Sequence, residues 1–211
     1  TPLYSSAASD VYKRQGYQYE QGAFKSWASV YAGLIQDYIL VKYVPVTSMG
    51  KTKYEAQSRN VDATIAGAEA GVAYQLTDQI QTDISAMYAW GENTTDHTAL
   101  PQIAPLEGRF NLRYVQEKYN LGLLWRVVAA QDRTSYREGN IIGYDLEDSK
   151  GFGTLSLNGT YNIQKDLDLS VGIDNVLNKN YAEHLNKLGS SGFGYACLLY
   201  TSPSPRDRQK S

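Results

Sequence analysis

One cysteine, two histidines, two methionines and four phenylalanines are all that 211 residues hold of these types. A single cysteine excludes an internal disulfide framework. No apolar run approaches the ~18 residues of a helical membrane span, so a helical membrane protein is excluded as well. A basic excess is missing too, since 20 Lys and Arg face 22 Asp and Glu for a net charge of −2. That balance argues against a nucleic-acid partner. Residues 1–15 lack a basic start followed by an apolar core, so no secretory signal opens the chain. Either the protein is cytoplasmic or this is not its natural beginning. Finally, no nucleophile–base constellation, phosphate loop or zinc spacing is visible, and no catalytic residue is assigned.

What is abundant is tyrosine and glycine, 18 of each. Six segments alternate with period two, one face apolar and the other polar, as strands with two unlike environments do. Residues 80–90 place Ile80, Thr82, Ile84, Ala86, Tyr88 and Trp90 opposite Gln81, Asp83, Ser85 and Met87. Residues 66–74, 107–115, 119–128, 154–163 and 167–174 read the same way, and 23–35 makes a seventh, less regular strand. Short turns at 75–79, 116–118 and 164–166 alternate with long links at about 36–58, 91–106 and 131–151. Tight turns at one rim and long loops at the other are the signature of an antiparallel up-and-down transmembrane β-barrel. A negative mean hydropathy of −0.44 is compatible, because lipid-facing and lumen-facing residues average out.

Tyr74, Tyr114, Tyr119 and Tyr161 sit on the apolar face beside short turns, at one height. Tyrosine suits a lipid–water interface because the ring is apolar and the hydroxyl wants water. Tyr88 and Trp90 would belong to the opposite girdle. The charged residues Glu69, Asp83, Arg109, Arg113, Arg126 and Asp168 would point into the lumen, pairing with neighbouring strands or with a plug. Gly67 and Gly71, beside Glu69, would leave room for that plug.

Several stretches resemble the C-terminal barrel of TonB-dependent receptors. Residues 174–184 (DNVLNKNYAEH) resemble the motif closing that family's penultimate strand. Residues 59–74 (RNVDATIAGAEAGVAY) and 100–114 (LPQIAPLEGRFNLRY) resemble two further family passages. The stretches LWRVVAAQ (124–131) and EHLNKLGSSGFGY (183–195) look most like the copper receptor branch. The resemblance implies an all-β fold in the bacterial outer membrane, with about seven strands of a barrel that has about 22 around a plug. It implies import of copper or another metal chelate as cargo, without a resident cofactor. The implied partners are outer-membrane lipid, the barrel-assembly machinery and, through a missing N-terminal region, TonB.

A metal would find His97, His184, Met49 and Met87 as the only soft or imidazole ligands, and no two stand at a ligand-like spacing. In the copper receptors that the chain resembles, ligand clusters lie upstream. Residues 3–15 (LYSSAASDVYKRQ) and 197–211 (CLLYTSPSPRDRQKS) share no pattern with the rest and resemble translated sequencing-adaptor text. The expected organisation is therefore 1–15 foreign without a fold, 16–195 barrel, and 196–211 foreign without a fold. Such a piece, with two unpaired sheet edges, is expected not to fold stably alone. Two alternatives remain at this point. A passive porin or substrate-specific channel shares the wall but not the motifs, and a soluble ligand-binding β-barrel would turn its apolar face inward.

Overall fold

Alternation with period two is satisfied when one face of each strand meets lipid and the other meets a polar interior, and the structure realises that pattern as one continuous antiparallel sheet. The computed structural model describes residues 9–140, 143–145, 147–165, 167–185 and 200–201. Its strands are β1 (Ser9–Gln21), β2 (Phe24–Ser48), β3 (Lys51–Gln75), β4 (Ile80–Asn93), β5 (Thr98–Ala99), β6 (Glu107–Val115), β7 (Tyr119–Val128), β8 (Glu138–Gly139), β9 (Phe152–Gln164), β10 (Leu167–Asp174) and β11 (Tyr200–Thr201). Their order in the sheet is β1-β2-β3-β4-β6-β7-β9-β10-β11, with β5 on β4 and β8 on β2. Neighbours in sequence are neighbours in space, which is an up-and-down wall.

The register sets the two faces. Across β3, β4, β6, β7 and β9 run the rows Glu69–Met87–Glu107 and Ser85–Arg109–Arg126–Thr154. One residue along, Val72–Ile84–Phe110–Trp125–Leu155 line up on the other face. Apolar side chains of that second face stay exposed: Ile84 and Trp125 at 53%, Val171 at 58%. A water-soluble protein does not leave a contiguous apolar belt uncovered, so this face meets lipid. The tyrosine row also forms. Tyr119 pairs with Tyr161 across β7 and β9, the Tyr114 and Tyr119 rings lie 5.9 Å apart, and Tyr74 stands opposite Phe24. Tyr19, 6.3 Å from the Phe24 ring, continues the row.

Three expectations need correction. The link at 36–58 is not a loop. β2 and β3 are each 25 residues long and close on Met49 and Gly50, whose φ of 51° and 72° is the signature of a two-residue hairpin turn. A bilayer takes only about 9–11 residues of a tilted strand, so the outer half of this hairpin stands clear of the membrane. A bulge marks the passage. Between Ile35 and Tyr38 the register jumps, Asp37 takes φ 58°, and the strand is free to bend. Beyond it no lipid imposes alternation; Leu40 and Val41, consecutive and on opposite faces of β2, are both buried, as are Val61 and Ala63 on β3.

The second correction concerns residues 9–15, expected to carry no fold. They are part of β1, registered from Ser9↔Gln36 to Gln21↔Phe24. The open edge of β2 offers backbone donors and acceptors that pair any extended segment, whatever its side-chain pattern. Tyr200 and Thr201 likewise pair with Asp174 and Ile173. Residues 1–8, 186–199 and 202–211, including Cys197 and most of the second copper-branch stretch, lie outside the described residues.

The third concerns Gly67 and Gly71. The space above them is occupied from within the sheet, not held open for a plug. A Cβ on Gly71 would stand 2.1 Å from the Trp27 ring, and one on Gly67 would stand 2.4 Å from the Tyr31 ring. These aromatics lie flat over the glycines opposite them in the register. Gly71→Ala is therefore expected to destabilise by about 1–3 kcal/mol through overpacking. The penalty should shrink in Trp27→Ala, where the obstructing ring is gone. Denaturant unfolding of the four proteins of this cycle would read the coupling, and additive losses would refute the stacking.

Candidate functional site in the lumen and the outer loops

The polar face carries its charges in small, satisfied groups. Glu69 accepts from Ser29 Oγ at 2.7 Å and pairs with Arg14. Asn111 donates to Asp83 at 2.7 Å, and Asn162 to Asp168 at 2.8 Å. The densest group lies near the outer rim. Glu107, 7% exposed, accepts from Arg109 Nε and from Arg126, each at 2.6 Å. Arg126 donates in turn to both oxygens of Glu183, at 2.5 and 3.1 Å. Glu69, Glu107 and Arg126 are thus ion-paired across strands, while Asp83 and Asp168 accept from asparagines of the neighbouring strand.

Glu183 belongs to a strap, residues 175–185, that leaves β10 and folds back over the wall. Asn175 is its hub. Its Oδ1 accepts from Lys179 N at 2.8 Å, its Nδ2 donates to Lys179 O at 2.9 Å, and its φ of 53° suits an asparagine. Val176 N donates to Leu155 O at 2.7 Å, and the Tyr181 ring stacks on Phe152 at 4.1 Å. The motif singled out in the sequence is thus a compact turn with anchors on β7 and β9. At its end His184, with a side chain 3% exposed, sets Nε2 3.6 Å from Asp145 Oδ1. Asp145 also accepts from Gln102 N and Nε2 and from Ser135 N. Strap, loop 129–151 and loop 94–106 meet at this carboxylate.

The same loops clamp the projecting hairpin. Val41 and Lys42 pair with β8, Lys42 Nζ donates to Glu138 at 2.8 Å, the Tyr43 and Tyr144 rings meet at 4.3 Å, and Arg137 lies over Tyr54 at 3.7 Å. On the other arm, Arg59 pairs with Asp96, which also accepts from Asn93 Nδ2 at 2.7 Å. The hydrogen bond from Arg59, then that from Asn93, holds the Asp96 carboxyl below the usual carboxylate range. Burial of the Tyr38 hydroxyl pushes it up, against a hydrogen bond with Asn140. Since the folded value of Asp96 lies below that of the unfolded chain, the tether contributes fully above about pH 4 and is lost as pH falls through the folded value. The protection factors of the Thr94 and Thr95 amides should fall as pH drops below about 4, and in Asp96→Asn they should already be low at pH 7. Unchanged protection in that variant would show that the tether does not hold the loop.

The four candidate metal ligands are not brought together. Met49 stands fully exposed at the hairpin tip, and His97 is exposed in the turn after β4, with Nδ1 3.8 Å from Glu92. His184 is in the strap and Met87 is on the lumen face between Glu69 and Glu107. Among the described residues no group of three His, Cys, Asp or Glu could hold a metal ion. What sequence reasoning missed is Glu107, Glu183 and Asp145, whose importance comes from burial and partners distant in sequence.

A one-sheet wall with a lipid-facing apolar belt, an aromatic girdle, a charged lumen face and loops gathered at one rim defines a transmembrane β-barrel of the outer-membrane type. The family described as TonB dependent receptor-like, beta-barrel, matches residues 13–176, and the chain belongs to it. It is a bacterial outer-membrane protein accordingly. Among solved structures it is similar to the copper transporter OprC, at 44% identity over 95% of this chain with a TM-score of 0.83. It is also similar to the FrpB iron transporter from Neisseria meningitidis, at 18% identity over 92% of the chain and a TM-score of 0.66. A mutant of the ferric enterobactin receptor PfeA from Pseudomonas aeruginosa matches at 19% identity over 92%, also with a TM-score of 0.66. The last two likenesses bear on the fold. The chain spans 30% of the length of each of these three. A search of curated proteins finds no match.

Proposed function

We propose that the receptor carrying this barrel segment imports a metal or metal complex, copper favoured, across the outer membrane with energy delivered through TonB. One observation carries the choice of cargo. Identity to a copper transporter is 44%, against 18–19% for iron receptors that share the same wall. The metal is cargo here, with no resident cofactor and no catalytic step. Lipid surrounds the apolar belt, and the barrel-assembly machinery inserts it. Soft ligands for copper would come from elsewhere in the receptor, since Met49, Met87, His97 and His184 are spread over four elements. A passive channel has the same wall but needs no energy source. The test is uptake of radioactive copper by cells with and without the receptor, each with intact and deleted TonB. Receptor-dependent uptake that disappears without TonB is expected. Uptake indifferent to TonB would favour a channel, and TonB-dependent uptake of a ferric chelate in place of copper would overturn the cargo.

A further inference from the structure

At the outer rim, between the end of β4 and the loops above β6, the wall has a notch of about 130 Å³. Tyr88, Trp90 and Leu106 line it, and Arg133 crosses it. The guanidinium of Arg133 lies 4.9 Å from the centre of the Trp90 ring and donates to Gly91 O at 3.2 Å. These partners are a ring and a carbonyl, both uncharged. Of the other cations in the outer loops and rim, Arg59, Arg109, Arg126 and Lys42 each meet a carboxylate, while Arg137 lies over the Tyr54 and Tyr136 rings.

Two features make the notch a built site. The first is its height. From Ile80, at the turn-side rim, to Trp90 there are ten residue steps along β4. At ~3.4 Å per residue and a tilt near 40°, that is about 26 Å, close to the ~25 Å apolar band of such barrels. Trp90 and Tyr88 therefore mark the opposite interface, where lipid headgroups begin. Both point to the lipid face, with Tyr88 48% exposed and Leu106 47% exposed. The second is rigidity. Gln131, 8% exposed, donates to Ile103 O at 3.1 Å and accepts from Arg133 N at 3.3 Å, while its backbone pairs both ways with Ser149. The loop base that carries Arg133 is thus fixed from two sides.

We infer that this notch binds the phosphate of an outer-leaflet glycolipid, with Arg133 as its counter-charge and Tyr88, Trp90 and Leu106 against its apolar part. A guanidinium offers paired donors suited to phosphate, and stacking on Trp90 leaves its edge free for them. At about 30 Å³ per water, the space holds roughly four waters, enough for a phosphate group and too little for a metal chelate. Asp132 also lines the notch and is exposed; it disfavours a loosely held anion and leaves a lipid held in addition by its acyl part.

The receptor carrying this segment is reconstituted in phosphatidylethanolamine nanodiscs doped with diphosphoryl lipid A or with its dephosphorylated form, and retained lipid is counted by native mass spectrometry. Wild type should retain the diphosphoryl form about tenfold better. Arg133→Gln should remove the preference and Arg133→Lys should keep part of it. Equal retention of the two lipids by wild type, or unchanged selectivity in Arg133→Gln, overturns the assignment. A photocrosslinking residue in place of Leu106, with Arg133 intact, should capture diphosphoryl lipid A, and failure to capture it also overturns the site. Excess inorganic phosphate should leave the lipid bound; complete displacement would identify a free-phosphate site instead and refute the lipid.

Discussion

Replacing Arg126 with alanine is expected to cost the folded barrel about 3–5 kcal/mol, the range for breaking a buried ion pair from one side. The side chain is 21% exposed and joins Glu107, whose side chain is 9% exposed, to Glu183 at 29%. Without it, Arg109 still pairs with Glu107, but Glu183 keeps no cation among the described residues and the strap loses its anchor on β7. The loss has a second part. The guanidinium also lies 5.3 Å from the Phe152 ring, on which Tyr181 stacks. Arg126→Lys should recover only a fraction, because an ammonium cannot reach two carboxylates with paired donors. Heat unfolding of the detergent-solubilised receptor would give the stability, and limited proteolysis within 175–185 would report the strap. A loss below about 1 kcal/mol, the range of exposed pairs, would mean that the cluster is solvated and the strap is held by its backbone alone.

How far the sequence reached is best seen strand by strand. β4, β6, β7, β9 and β10 were legible because lipid on one side and water on the other write a period of two into the side chains. The tyrosine row was legible for the same reason, since each member sits beside a turn. The β2–β3 hairpin was not legible beyond the bulge. There Leu40 and Val41 are consecutive buried residues, with Val41 paired to Gly139 of the loop bearing Glu138, and a period of two no longer describes the burial. β1 was not read as a strand at all, because Val11, Tyr12, Lys13 and Arg14 do not alternate, although an edge pairing through the backbone does not require it.

The site was read at the level of type and missed at the level of partners. Arg109, Arg126, Glu69, Asp83 and Asp168 were placed on the lumen face by alternation alone, and they are found there. That Arg126 would hold Glu183, 57 positions away, is a property of the strap's path and leaves no local trace. His184 shows the same limit from the other side. Counted as one of four soft or imidazole ligands, it turns out to be enclosed beside Asp145, where it joins loops. Gly67 and Gly71 were recognised as special, but whether a plug or a neighbouring ring fills the space above a glycine depends on register, which placed Tyr31 and Trp27 there.

Ser156 and Leu157 test the sidedness of the wall most directly, being adjacent on β9 and opposite in direction. Leu157, 40% exposed, stands between Leu123 and Ile173 on the apolar face, four residues from Tyr161 and hence near the middle of the band. Arginine there must carry its charge into hydrocarbon or bend toward an interface, at about 2–4 kcal/mol. Ser156 faces the lumen opposite Leu124. Arginine at that position reaches water, so Ser156→Arg should stay within about 0.5 kcal/mol of wild type. The contrast would be measured as unfolding of the receptor in lipid vesicles. The structure leaves this face uncovered by protein, so if water covered it in place of lipid, Leu157→Arg would be harmless. Equal effects at the two positions would therefore remove the bilayer from the account, while a large difference in the stated direction ties the exposed belt of β4, β7, β9 and β10 to lipid.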